Sequence, residues 1–454
     1  SRADWEDRNA EALKLALQVK KNKSFPWPNA SNVKYPLVTI ACMQFNARAY
    51  PSLIPGTKPV KHRPVSDDPS GEKTARGNRI SSHMNWQLTV QDQGWEEDMD
   101  RLLMSEALLG TAFKKSFFDV DRQRNISEMV SADNFVLDYF ARSVEECRRK
   151  THVQFYHKNV MIEKMRLGSY KEYDFERDLG RGEYEPSTIA EAADEAQGKT
   201  PPLEDMDDPY TILEQHCWLD LDGDGYEEPY VATVELNHRK VLRIKPRFFA
   251  ENITYWKGQK VAKIEPVEMF TKYGLIPSPD GSIYDVGLGT LLTPINEAVN
   301  SLINQLVDAG TLSNLQSGFI AKGIRIRNGR MQFTPGEWKT TNAMGDDLRK
   351  GIFPLPVREP SQVLFQLLGI LIEAGQRIGS ASDMMQGESP GQNQPAQTTM
   401  AVLEQGLKVY SAIIKRNHRS LTSEFRKIYF LNTLYTDPQE YFSIIDEGDA
   451  DTIF

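Results

Sequence analysis

The string Asp220-Leu221-Asp222-Gly223-Asp224-Gly225 places carboxylates at alternate positions and a glycine after the third. That is the first half of a calcium loop, which takes oxygens at positions 1, 3 and 5 and a turn-forming glycine at 6. The bidentate acid that closes such a loop belongs at position 12, and that position is Val231. Asp-Gly pairs are also what a hairpin turn requires. Asp220, Asp222 and Asp224 therefore carry a partial metal signature only, and a plain turn is the expectation.

Other candidate chemistry is thinner. Ala193 through Gly198-Lys199-Thr200 loosely matches a phosphate loop. Asp194 and Glu195 would sit where amide groups must cradle phosphate, and Pro201-Pro202 disfavours the helix whose N-terminus should hold it. Gly287-Leu288-Gly289 precedes a helical pattern, but a lone GxG more simply shapes a bend. The seven histidines show no ligand spacing. His216 and Cys217 are adjacent and in a strand face opposite sides. No GxSxG elbow occurs. The sequence offers no catalytic residue, and neither an enzyme nor a cofactor is expected.

The basic residues are more informative. Lys322, Arg325, Arg327 and Arg330 fall within nine residues, in a glycine-punctuated module at 318–358 that holds eight bases and three acids. Such a cluster suits contact with DNA phosphates or with an acidic partner. It is also what an ordinary solvated surface looks like.

The elements that must position these residues follow from periodicity. Helices are expected at about 4–23, 37–50, 81–110 and 187–196. Short strands are expected from about 111 to 160 and from 210 to 270, with a hairpin across Asp222-Gly225. Thr293 as a cap with Pro294 in the first turn opens a helix expected to end near Gly310. A second apolar helix should cover 361–378, and a long one about 397–434. The helix at 361–378 lacks a clear polar stripe, so it must bury more than one face, in a monomer core or against a neighbouring subunit. Residues 171–208 hold thirteen acids and four bases and read as a solvated insertion.

Composition sets the bounds. The chain has 454 residues, too many for one core, so an α+β protein of two or more subdomains is expected. Three scattered cysteines argue against a disulfide framework and for a reducing compartment. No apolar run is long enough to span a membrane, and the polar start is not a secretory leader. A formal charge of −9 means that any grip on DNA should be weak or confined to a local patch.

The order of four stretches resembles the portal proteins of tailed bacteriophages, the short-tailed type above all. These are Pro26-Trp27-Pro28-Asn29-Ala30-Ser31-Asn32-Val33-Lys34-Tyr35-Pro36-Leu37, Trp218 to Gly225, Gly287 to Pro294 with Asn300, and Ala381 to Gly387 with Gln397 to Ala401. The resemblance implies a non-enzymatic ring of about twelve subunits, sited at one capsid vertex of the virion and assembled in the host cytoplasm. It implies a wing over 1–286 carrying the acidic insertion, a stem helix at 287–317 and a clip at 318–358. A second stem helix would cover 359–381, a tunnel loop 382–396, and a long wing helix with the start of a crown 397–454. Met385, Gln386, Gln392, Asn393 and Gln394 would then face DNA in the channel, and Lys322, Arg325, Arg327 and Arg330 would meet a partner or DNA at the clip. Implied partners are further copies of the chain, the packaging ATPase (terminase large subunit), the tail adaptor, the major capsid and scaffolding proteins, and transiently bound double-stranded DNA. The rival readings are a head-completion or adaptor protein, or a packaging ATPase subunit, and the latter lacks a credible phosphate loop.

Overall fold

The computed structural model describes residues 2–20, 23, 28, 30–56, 58–64, 67–200, 207–256, 260–314, 318–320, 352–354, 361–379, 396–437, 441–443 and 451–453. The chain is α+β, as expected. It divides into two units, the larger made of residues 1–19, 36–294 and 376–454, the smaller of 20–35 and 295–375.

The larger unit opens with α1 (Ala3–Ala16), α2 (Leu37–Leu53), α3 (Glu72–Trp86) and α4 (Gly94–Leu109). The single helix expected over 81–110 is two. A π-turn at Gln87–Gln91 widens the end of α3, Asp92 leaves the helix, and α4 starts at Gly94. The interruption coincides with a contact made from far along the chain. Gln87 exchanges amide hydrogen bonds of 3.1 and 2.9 Å with Asn432, which turns it out of register with a regular helix. The Asp92 carboxylate accepts the Ser127 amide instead of facing solvent.

Among the described residues the strands follow the pattern of short runs: β1 (Thr111–Asp119), β2 (Arg124–Val130), β3 (Phe135–Leu137), β4 (Lys150–Tyr156), β5 (Tyr210–Leu219), β6 (Glu228–Glu235), β7 (Lys240–Pro246), β8 (Ile253–Trp256), β9 (Lys260–Ile264), β10 (Phe270–Gly274), β11 (Gly318–Ile320), β12 (Ile352–Pro354), β13 (Tyr441–Ser443) and β14 (Asp451–Ile453). One antiparallel sheet has the order β10-β1-β2, and a second has the order β3-β4-β5-β6-β7. Val130 pairs opposite Phe113, and Leu219 opposite Glu228 closes the expected hairpin. Trp95, Met99, Leu102 and Leu103 of α4 are fully buried with Phe113, Phe135, Phe270 and Tyr273. The ring centroids of Phe113 and Phe135 are 4.7 Å apart, and those of Phe135 and Phe270 are 4.4 Å apart.

Among the described residues the further helices are α5 (Lys158–Arg166), α6 (Thr188–Gln197), α7 (Leu288–Asn314), α8 (Gln362–Ile378) and α9 (Ala396–Tyr435). The acidic stretch departs from a solvated insertion over its described part. Ser187 caps α6 by accepting the Ala190 amide, and Ile189 and Ala192 pack on Ala10 of α1 with Trp5 and Leu13 around them. Leu179 is buried with Met161, Tyr170 and Ile212. Apolar positions spaced three apart among the acids were enough to anchor it, and a charge count conceals them. The helix expected from Thr293 instead starts at Leu288, with Pro294 inside it. Its first turn is held from outside. A Cβ on Gly289 would lie 2.6 Å from the Leu108 carbonyl oxygen, and the Thr111 hydroxyl accepts the amide of Asp285 just upstream.

α9 is fixed to the β10-β1-β2 sheet by a carboxylate. Glu424 is fully buried and accepts from Trp95 Nε1 at 2.8 Å, Ser127 Oγ at 2.7 Å, Lys114 Nζ at 3.4 Å and the Tyr273 hydroxyl. Four donors from α4, β1, β2 and β10 meet a single acid, which offsets the cost of burying charge. Nearby, Lys115 and His216 both bond Glu214, at 2.9 and 3.1 Å. Burial alone would raise the Glu214 carboxyl, but Lys115 and His216 hold it well below the usual range.

Candidate functional site

Among the described residues the helices at Leu288–Asn314 and Gln362–Ile378 supply two surface features. The first is α8. Contrary to the expectation of no clear polar stripe, Gln362, Gln366, Glu373 and Arg377 share one side of the helix, and the remainder of its surface is a broad apolar face that must find cover. The described residues leave much of it open: Val363, Phe365 and Ile370 are 66%, 54% and 62% exposed, with Leu367 also exposed. Contiguous apolar surface of this kind marks an association site.

The second feature is how the segment before α2 lies on α7. The Asn304 amide bonds Val33 in both directions, accepting its N–H at 2.6 Å and donating to its carbonyl at 3.1 Å. One turn earlier Asn300 accepts the Tyr35 N–H at 2.7 Å, and one turn later Asp308 accepts that of Ser31 at 2.8 Å. Helix positions four apart rise about 6 Å, close to the two-residue repeat of an extended chain, about 6.6 Å. A row of short polar side chains therefore serves the alternating amides of residues 31, 33 and 35. Asn300 was visible in the sequence as part of a resemblance; Asn304 and Asp308 were missed, although the four-residue spacing Asn296, Asn300, Asn304, Asp308 would have pointed to them.

The three aspartates do come together. The ligand oxygens of Asp220, Asp222 and Asp224 lie within 4.8 Å of one another on the exposed β5–β6 loop. Those carboxylates are occupied in shaping the turn. Asp220 accepts the amides of Gly223 and Gly225 at 2.7 and 3.0 Å, and Asp224 accepts that of Tyr226 at 2.7 Å. Gly223 and Gly225 supply the positive φ that the turn needs. The arrangement is that of a hairpin loop. Lys322, Arg325, Arg327 and Arg330, and Met385, Gln386, Gln392, Asn393 and Gln394, lie outside the described residues.

Among the described residues no helix is long and apolar enough to cross a membrane. Comparison with known families decides the class. A family model described as phage SU10 portal protein matches residues 96–449.

The chain belongs to this family of phage portal proteins.

A search of curated proteins finds no match. The portal match starts inside α4 and takes in both sheets, α7, α8 and α9. It leaves α1, α2 and α3 outside, together with the segment from Pro26 to Leu37 on which part of the resemblance stood. As a portal protein the chain is a structural component of the phage head-to-tail connector. Within the matched span lie the helices Leu288–Asn314 and Gln362–Ile378.

Proposed function

We propose that this portal subunit assembles with further copies of itself into a ring of about twelve at one vertex of the capsid, and that the ring is the channel for DNA entering and leaving the head. The observation that carries the reading beyond the family match is the exposed apolar face of α8. Removing apolar surface from water is the main driving force of association, and a closed ring covers the same face of every subunit.

In this reading α7 and α8 form the stem and residues 318–358 form the clip. Lys322, Arg325, Arg327 and Arg330 dock the packaging ATPase during filling and the tail adaptor afterwards. Residues 382–396 form the loop at the narrowest point, where Met385, Gln386, Gln392, Asn393 and Gln394 offer contacts that carry no formal charge. A chain of net charge −9 suits a conduit, since a surface that neutralised many phosphates would hold the DNA. The ring forms in the host cytoplasm with scaffolding and major capsid proteins and stays in the virion.

Electron microscopy and native mass of the purified chain test this. A ring with a central hole wide enough for a duplex, with a mass near twelve times 51.6 kDa, supports it. A monomer that stays monomeric with scaffolding protein present and hydrolyses ATP would overturn it.

A further inference from the structure

A second surface carries charge of the opposite sign to the chain as a whole. Residues 58–79 hold six bases and three acids, a net of +3 in a protein of net −9. The first two turns of α3 stand clear of the body. Every residue from Gly71 to Arg76 is exposed, as are Asn78 and Arg79. Only Gly77 is covered, by the ring of His62; a Cβ there would sit 2.3 Å from the His62 Cδ2.

The segment from Lys58 to Arg63 is pinned beside this helix. Asn85 accepts the Val60 N–H at 2.8 Å and donates to its carbonyl at 3.2 Å, and the His62 Nδ1 lies 3.2 Å from the Ser81 hydroxyl. Val60 is buried and His62 half-buried, which leaves Lys61 and Arg63 on the open side. Asp68 is spent on the turn before α3, accepting the Thr74 amide at 2.7 Å. Lys58, Lys61, Arg63, Arg76 and Arg79 are all exposed, and none makes an ion pair with a described residue.

We propose that this projection is a contact site for the phosphate backbone of duplex DNA, formed by residues other than those of the proposed tunnel loop. Three things favour DNA over a protein partner. The exposed cations include three arginines, whose planar guanidinium matches phosphate in two-point bonds. No large apolar side chain between residues 58 and 85 is exposed among the described residues. A protein interface needs such anchors, whereas protein–DNA interfaces are polar and strongly positive. The cations also sit on segments already held in place, so little ordering entropy opposes binding. The portal reading supplies only the fact that duplex DNA is at hand.

The test is fluorescence anisotropy of a labelled 30-base-pair duplex of arbitrary sequence with the purified full chain, in whatever oligomeric state it takes. With five phosphates neutralised, affinity should fall roughly 500-fold between 50 and 200 mM salt. Arg76→Ser/Arg79→Ser should weaken binding at least tenfold and reduce the salt slope by about two. Arg142→Ser/Arg166→Ser, which removes two exposed arginines elsewhere, should change it less than twofold. Circular dichroism establishes that both variants are folded. No binding by the unaltered chain at 50 mM salt overturns the proposal, as does equal binding by the two variants. If Arg76→Ser/Arg79→Ser keeps its DNA affinity but loses self-association, the site faces the acidic stretch of another copy, and the DNA proposal is likewise overturned. Failure of ring closure is read separately by microscopy and leaves the anisotropy result interpretable.

Discussion

Gly110 and Gly287 stand back to back. A Cβ on Gly110 would fall 2.4 Å from the Gly287 amide nitrogen, and a Cβ on Gly287 would fall 2.5 Å from that of Gly110. The end of α4 and the start of α7 thus meet backbone to backbone, and Gly110 adds a φ of +88°. Neither neighbour is a flexible side chain that could move away. Gly110→Ala should cost well beyond the roughly 1–2 kcal/mol of a left-handed φ alone. The comparison is Gly198→Ala, at φ +70° with nothing within 4 Å. Thermal denaturation of both decides it, and equal losses would refute the close-approach account.

Glu106 should act as a neutral acid. It is fully buried on α4, its Oε2 accepts the Asn417 amide at 2.9 Å, and burial pushes its carboxyl up to about 8. Among the described residues its Oε1 and the Asn417 Oδ1 both lack a partner, and a proton on Oε1 spares the buried carboxyl its charge. The folded form holds that proton where the unfolded chain has lost it, so stability falls as pH rises from about 4.5 to about 8. The slope should reach about 1.4 kcal/mol per pH unit at most. Glu106→Gln supplies the same hydrogen bonds without titrating and should flatten this part of a stability–pH profile measured by urea unfolding. An unchanged profile would show that Glu106 is not responsible.

Glu424→Leu should be among the most damaging single changes. It strands Lys114, which is fully buried and whose amine burial already holds below its ordinary range. Removing one member of a buried pair costs about 3–5 kcal/mol. Adding Lys114→Met should recover a substantial part of that, since no lone charge then remains. A double-mutant cycle in guanidinium measures the coupling; additive losses would mean that the two residues do not act as a pair.

Asn304→Ala should release the segment that lies on α7. Val33 loses a partner for both its N–H and its carbonyl, at a cost of about 1–3 kcal/mol for groups left unsatisfied. Amide exchange at Val33 should accelerate strongly, and that at Tyr35, held by Asn300, less so. Uniform acceleration throughout the chain would instead indicate global destabilisation.

Much of this architecture was legible in the sequence. Alternating strands and the Asp-Gly turn gave the β5–β6 hairpin, and the spacing of apolar residues placed α8 and α9 to within two residues. Legibility failed where a partner distant in sequence decided the outcome. Asn432, 345 positions away, is what bends the chain at Gln87. The start of α7 at Leu288 depends on the Leu108 carbonyl beside Gly289. Local pattern cannot carry such information. The acidic run was misread for a different reason: its charge is real, but Leu179, Ile189 and Ala192 suffice to anchor it. Of the site, the sequence marked the apolar helix and Asn300, while the basic projection at residues 58–79 is masked in sequence by the three acids interspersed among its cations, and its two halves are brought side by side by the pinning of Val60 to Asn85.

The burial of Glu424 and Lys114 also bears on the medium in which a portal works. Mobile ions cannot reach a pair with no solvent contact, so added electrolyte weakens it far less than it weakens surface pairs. In the function proposed above, the subunit stands beside a head filling with DNA, which gathers a dense counterion atmosphere around its contents. The seating of α9 on its sheet should be indifferent to that change, while a surface bond such as Lys263 to Glu265 fades. The subunit is thus built to keep its internal geometry as the ionic conditions around it change.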